Sequence, residues 1–117
     1  MNKENNKKSP LGGLGDRIYI AGKVSGEKIH KVTMKFGKAQ KELEALGYEA
    51  INPLEVVNDW KATWREAMNK CIKALVDCDA LLVLPDYQNS KGAMIERMLA
   101  ELLEMTVYEN IKEIPKN

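Results

Sequence analysis

The sequence carries only one phenylalanine, one histidine and two cysteines in 117 residues, and these scarcities exclude several classes of protein. Cys71 and Cys78 lack CxxC spacing and have no histidine nearby, so neither a disulfide framework nor a metal site is expected. A reducing cytoplasm is the simplest home for two such thiols. The sole histidine, His30, falls at the start of a helical stretch, reads as solvated and is given no role. Neither sign of charge dominates: 18 Lys and Arg stand against 17 Asp and Glu. That balance leaves no bulk field to hold a nucleic acid polymer or an anionic membrane. No apolar run approaches the roughly 20 residues of a membrane span, and the first residues contain no hydrophobic signal core.

What remains is an ordinary globular composition, 44% hydrophobic and 30% charged, with length for one domain and a modest core. Residues 1–15, "MNKENNKKSPLGGLG", are polar and then rich in Gly and Pro, without periodicity, and read as a flexible tail. A single domain is expected over residues 16–117.

From Arg17 the pattern alternates between short β-rich runs and amphipathic stretches. "RIYIAG" (17–22) reads as a strand closed by glycine. In residues 30–47, Val32, Phe36, Ala39, Leu43 and Leu46 recur at helical spacing, and Gly47 provides the stop. "YEAINP" (48–53) is a second strand ended by Pro53. Residues 59–78 form a second helical pattern, with Asp59 as expected N-cap and Trp60, Trp64, Met68, Cys71 or Ile72, and Leu75 along one side. "DALLVLPD" (79–86) is apolar throughout, as a strand covered on both faces would be. A helix over 90–104 and a last strand over 106–109 follow. Strands alternating with helices of this length specify βαβ units. The expected fold is therefore a three-layer, Rossmann- or flavodoxin-like parallel sheet of four to five strands with helices on both faces.

One residue breaks the pattern. Helical positions are rotated by about 100° each, which places Glu96 among Gly92, Ala93, Leu99, Ala100 and Leu103 in the middle of an apolar sector. A carboxylate on an inward face is costly unless it is paired, hydrogen-bonded or bordering a cavity. Ligands of such sheets bind beyond the carboxyl ends of the strands, where strand order reverses. This brings the loops at 22–26, 52–59 and 86–90 to one rim. Glu96 lies near the start of its helix and leans toward that rim, with Gly92 and Ala93 leaving room for an approaching group. Two readings stand: a ligand-facing carboxylate, or a structural partner of a buried Lys or Arg.

"IYIAG" in the first strand, "NP" after the second, and "CDALLVLPDYQNSKGAMIE" with its following alanine resemble the nucleoside 2-deoxyribosyltransferase-like family. The small bacterial and phage-type members are the nearest in pattern, and the similarity extends to the related 2′-deoxynucleoside 5′-phosphate N-hydrolases. It covers residues 17–108. The resemblance implies that Glu96 is a nucleophile toward the anomeric carbon of a 2-deoxyribosyl group and that Tyr19 positions it by a hydrogen bond. It also implies that Ser90 contacts the 5′ end of the sugar. Without the resemblance Tyr19 reads as core and Ser90 as an N-cap. Ser90, Lys91 and Gly92 at a helix N-terminus would favour a phosphate, hence a nucleotide over a nucleoside. Gly22, Lys23, Ser25 and Gly26 of the first loop, and Asn52 and Pro53 of the second, complete the expected binding set. Trp60 and Trp64, one turn apart, either wall a base pocket by stacking or belong to the core.

The sequence departs from the family pattern at two positions. Ser25 stands where the phosphate hydrolases carry an arginine, and Lys23 offers charge there without bidentate geometry. Cys71 stands where catalytic relatives carry the aspartate that handles the leaving base, so Asp86 is the expected substitute, with Asp79 the less favoured choice. The leading expectation is an N-glycosidase, hydrolase or transferase, acting on deoxynucleosides or their 5′-monophosphates without cofactor or metal. The alternatives are a non-catalytic nucleotide-binding or sensing module, and an accessory subunit with a vestigial pocket. Met94, Met98 and Met105 form an apolar strip opposite Glu96, which predicts a homodimer or higher homo-oligomer with this helix at the interface unless another helix of the same domain covers it.

Overall fold

The computed structural model describes residues 16–117, and the expected tail over 1–15 lies outside them. Strands β1 (Arg17–Ala21), β2 (Glu49–Ile51), β3 (Ala80–Val83) and β4 (Thr106–Tyr108) alternate with helices α1 (Ile29–Ala45), α2 (Pro53–Val57), α3 (Trp64–Leu75) and α4 (Lys91–Leu102). The four strands form one sheet in the order β2-β1-β3-β4, and every pair is parallel. Tyr19 at the centre of β1 is flanked by Ile51 of β2 and Leu81 of β3. Strand order therefore reverses between β1 and β3.

Period-two alternation sorts the strand residues onto two faces. Ile18, Ile20, Ala80 and Leu82 pack with Val32, Phe36, Ala39 and Leu43 of α1. Tyr19, Ala21, Leu81 and Val83 pack on the other face with Cys71 and Leu75 of α3 and Ala93 and Ala100 of α4. The molecule is thus a three-layer α/β fold of the Rossmann- and flavodoxin-like kind. β3 is buried along its whole length because both of its faces are covered, which is why "ALLV" shows no alternation.

Two elements differ from the sequence pattern. Pro53 ends the second strand but also opens the short helix α2, which the pattern had not indicated. The Asn52 side chain caps α2 by accepting from Leu54 N–H at 2.9 Å, and Pro53 fits the first helical position because its missing donor is not needed there. Asn58, in the left-handed region at φ 49°, ends it. The expected N-cap at Asp59 is also corrected. α3 begins only at Trp64, where Thr63 and Glu66 form a reciprocal capping box at 3.1 and 2.9 Å. The Asp59 carboxylate instead accepts from Lys61 N–H at 2.9 Å and closes a local turn. Residues 58–63 therefore form a loop that carries Trp60 out over the rim.

Candidate functional site

Glu96 occupies the second turn of α4, on the face turned toward β1. Gly92, Ala93 and Ala100 on this side of α4 are small and buried, which lets the helix lie close to the sheet. The carboxyl group is thereby almost enclosed, with 5% exposure, above a Tyr19 side chain that has none. The Tyr19 hydroxyl donates to Glu96 Oε2 at 2.7 Å. The other carboxylate oxygen, Oε1, takes part in no hydrogen bond among the described residues. Burial pushes the Glu96 carboxyl up to about 7, and the bond from Tyr19 works against that rise. Burial, with the nearby charge of Glu96, pushes the Tyr19 phenol far above its ordinary range, so it remains a donor at any working pH.

Cys71 on α3 completes the buried group. Burial pushes its thiol up to about 11; the neighbouring Tyr19 hydroxyl works against that rise, while the charge of Glu96 adds to it. At neutral pH it is an inert thiol rather than a thiolate.

These side chains lie at the base of a cleft of about 420 Å³ at the carboxyl ends of β1 and β3, the switch point of the sheet. Gly22, Ser25, Gly26, Pro53, Trp60, Trp64, Ser90, Gly92 and Glu96 all line it, so the three expected loops do meet. Val57, Asn58, Asp59, Met68, Cys71 and Glu27 also line the cleft and had not been singled out as binding residues. Trp60 and Trp64 remain 58% and 43% exposed at the rim, so the reading that made them core is set aside.

Five expected residues sit differently. Tyr19 lies beneath Glu96 and acts on the cleft through it. Asn52 is buried and committed, capping α2 and donating to Gln40 Oε1 at 3.0 Å. Lys91 does not line the cleft; its ammonium lies 4.6 Å from the centre of the Trp64 ring. Lys23 and Asp86 are likewise outside the lining. Asp86 accepts from Lys23 N–H at 3.1 Å and from Lys35 Nζ at 2.6 Å, so it is a structural ion-pair partner and not a candidate acid for the leaving group. Ser90 caps α4 by accepting from Ala93 N–H at 3.1 Å, as its N-cap reading expected, and it also borders the cleft.

Lys35 is the residue the pattern concealed. Its ammonium donates to the Lys23 carbonyl at 2.8 Å, to Glu27 Oε1 at 3.0 Å and to Asp86, tying the first loop to α1 and to the end of β3. Lys23 and Glu27 lie close together in the chain, but Asp86 is 51 residues from Lys35, and nothing in the helical periodicity marks Lys35. Two glycines act by close packing. A Cβ on Gly22 would meet the Leu84 side chain at 2.8 Å. One on Gly92 would meet Met68 Sδ at 3.0 Å, so the room beside Gly92 is filled by α3 rather than held open for a ligand.

The fold and the cleft together define an α/β domain with a switch-point site built on one buried carboxylate. Among the described residues no group of three or more His, Cys, Asp or Glu is placed to hold a metal ion, and no helix is long and apolar enough to cross a membrane. Residues 16–109 match the family described as a domain of unknown function, DUF4406, and the chain belongs to that family. Comparison with curated proteins gives no match.

Proposed function

We propose that the protein is an N-glycosidase acting on 2′-deoxynucleosides or their 5′-monophosphates, with Glu96 as nucleophile. The observation that carries this reading is the Tyr19–Glu96 pair at the base of an open cleft. The Tyr19 hydrogen bond fixes Oε2, which leaves Oε1 to attack the anomeric carbon. The carbon–oxygen bond forms as the carbon–nitrogen bond breaks, and the carboxylate charge stabilises the oxocarbenium-like transition state. Water or a second base then displaces Glu96, giving hydrolysis or deoxyribosyl transfer. Trp60 and Trp64 supply the stacking surface for the base. The test is base release followed by chromatography: the wild-type protein is expected to release base from a deoxynucleoside substrate, and Glu96→Gln to release none. Equal release by both would refute the reading.

A second reading, a non-catalytic nucleotide-binding module, is favoured by Cys71, whose raised thiol cannot readily protonate a departing base. Saturable binding without turnover of any substrate would favour it.

The reading includes a homodimer. Met94, Met98 and Leu102 form an exposed apolar line along α4, whereas Met105 of the expected strip packs back against the core on the sheet face that α3 and α4 cover. A cleft with two exposed tryptophans at its rim does not enclose a nucleoside alone, and small-ligand sites bury most of their ligand. A reducing cytoplasm is the proposed location, supported by two buried free thiols, Cys71 and Cys78.

A further inference from the structure

The charge of the cleft runs against an anionic ligand. Its described lining contains three carboxylates, Glu27, Asp59 and Glu96, and neither lysine nor arginine. Lys35 neutralises Glu27, and the N-terminus of α4 contributes about half a positive charge, which does not offset Asp59 and Glu96. The exposed ring of Trp60 adds an electron-rich face that attracts cations, while Trp64 already holds Lys91.

Among the described residues the cleft also lacks a free acid for a leaving base. Glu27 is ion-paired with Lys35 at 3.0 Å, and Asp59 closes its own turn by accepting from Lys61 N–H. Tyr19 donates its proton to Glu96, and Cys71 holds a thiol of raised pKa. A neutral purine departs from a sugar only if a proton reaches it, and a general acid supplies about 100- to 10,000-fold in rate. A purine already carrying a positive charge needs none.

We infer that the substrates of this cleft are deoxynucleosides of cationic, N-alkylated purines, without a 5′-phosphate. This inference rests on the glycosidase reading. In the step, Glu96 Oε1 forms a bond to the anomeric carbon as the bond to the base nitrogen breaks. The bonding pair moves into the ring and neutralises its charge, so the base leaves uncharged without a proton donor. Water then adds at the same carbon, Glu96 departs as carboxylate, and one proton passes to solvent. The ring cation over Trp60 supplies binding, and its field holds Glu96 ionised for attack.

The experiment compares 7-methyl-2′-deoxyguanosine, 2′-deoxyguanosine and 2′-deoxyguanosine 5′-monophosphate with the full-length wild-type protein, subtracting release by Glu96→Gln for each. Release from the methylated nucleoside is expected to exceed that from either other compound by about 100-fold or more, the advantage a general acid would otherwise supply. Comparable or faster release from deoxyguanosine or its monophosphate overturns the cationic assignment and leaves the glycosidase reading intact. Release from none of the three overturns the glycosidase reading and the inference with it.

Discussion

The hydroxyl of Tyr19 and the carboxylate of Glu96 meet at 2.7 Å although 77 residues separate them in the chain. The pair is buried between sheet and helix, yet it touches the cleft through Glu96 alone. Its energetics favour function over stability. A carboxyl held near 7 in the folded protein, against an ordinary 4.5, makes its full contribution to stability below pH 4.5. That contribution is lost as pH rises toward 7, a loss on the order of 3 kcal/mol by linkage. Glu96→Gln should flatten this decline while abolishing base release. The check is denaturant unfolding of both proteins at pH 4.5 and pH 8; an equal decline in the variant would show that Glu96 is not its source.

On the proposed mechanism only the ionised Glu96 attacks, so activity should rise with pH through about 7. Tyr19→Phe removes the hydrogen bond that lowers the Glu96 pKa, so the midpoint of the pH–rate profile should move upward and the plateau rate should fall. A merely structural tyrosine would lower the rate at every pH without moving the midpoint.

Lys35→Met should free the first loop. The loss of charge-assisted bonds to Asp86, Glu27 and the Lys23 carbonyl is expected to cost about 1–3 kcal/mol. It should also speed amide exchange across residues 23–27. A Lys35→Met, Asp86→Asn double-mutant cycle should show coupling between the two sites. Additive losses would contradict the ion-pair account.

Gly22→Ala should destabilise the fold by about 1–3 kcal/mol, since its new methyl would lie 2.8 Å from the buried Leu84 side chain. Thermal unfolding is the check, and an unchanged midpoint would show that the first loop moves aside freely.

The line of Met94, Met98 and Leu102 should form the dimer contact. Light scattering should give twice the chain mass of 13.2 kDa, and Met98→Lys should give a monomer. A wild-type monomer at micromolar concentration removes the dimer from the account.

Much of this fold can be read in the sequence because its strongest signals are local. The apolar spacing of Val32, Phe36, Ala39 and Leu43 marks α1, Gly47 at φ 97° ends it, and the unbroken run in β3 announces a strand covered on both sides. The misplacement of Glu96 on its helical wheel pointed to the cleft for the same reason. Other features depend on partners distant in sequence. Asp86 looked like a free acid at a strand end because its partner, Lys35, lies on α1 and bears no periodic mark. Lys91 looked like a phosphate ligand from its neighbours Ser90 and Gly92, but the Trp64 ring, 27 residues earlier, holds its charge. Thr63 and Glu66 displaced Asp59 as the start of α3 because two reciprocal capping bonds outweigh one turn-closing carboxylate.

The central claim is that Glu96 forms a bond to the sugar. Its most direct test is rapid acid quench of the wild-type protein during turnover of 7-methyl-2′-deoxyguanosine and, separately, 2′-deoxyguanosine, followed by peptide mass mapping. The account expects a deoxyribosyl adduct on the peptide containing Glu96 with at least one of them, absent from the Glu96→Gln protein. Turnover that proceeds with the adduct on another residue, or that survives in Glu96→Gln, would contradict it.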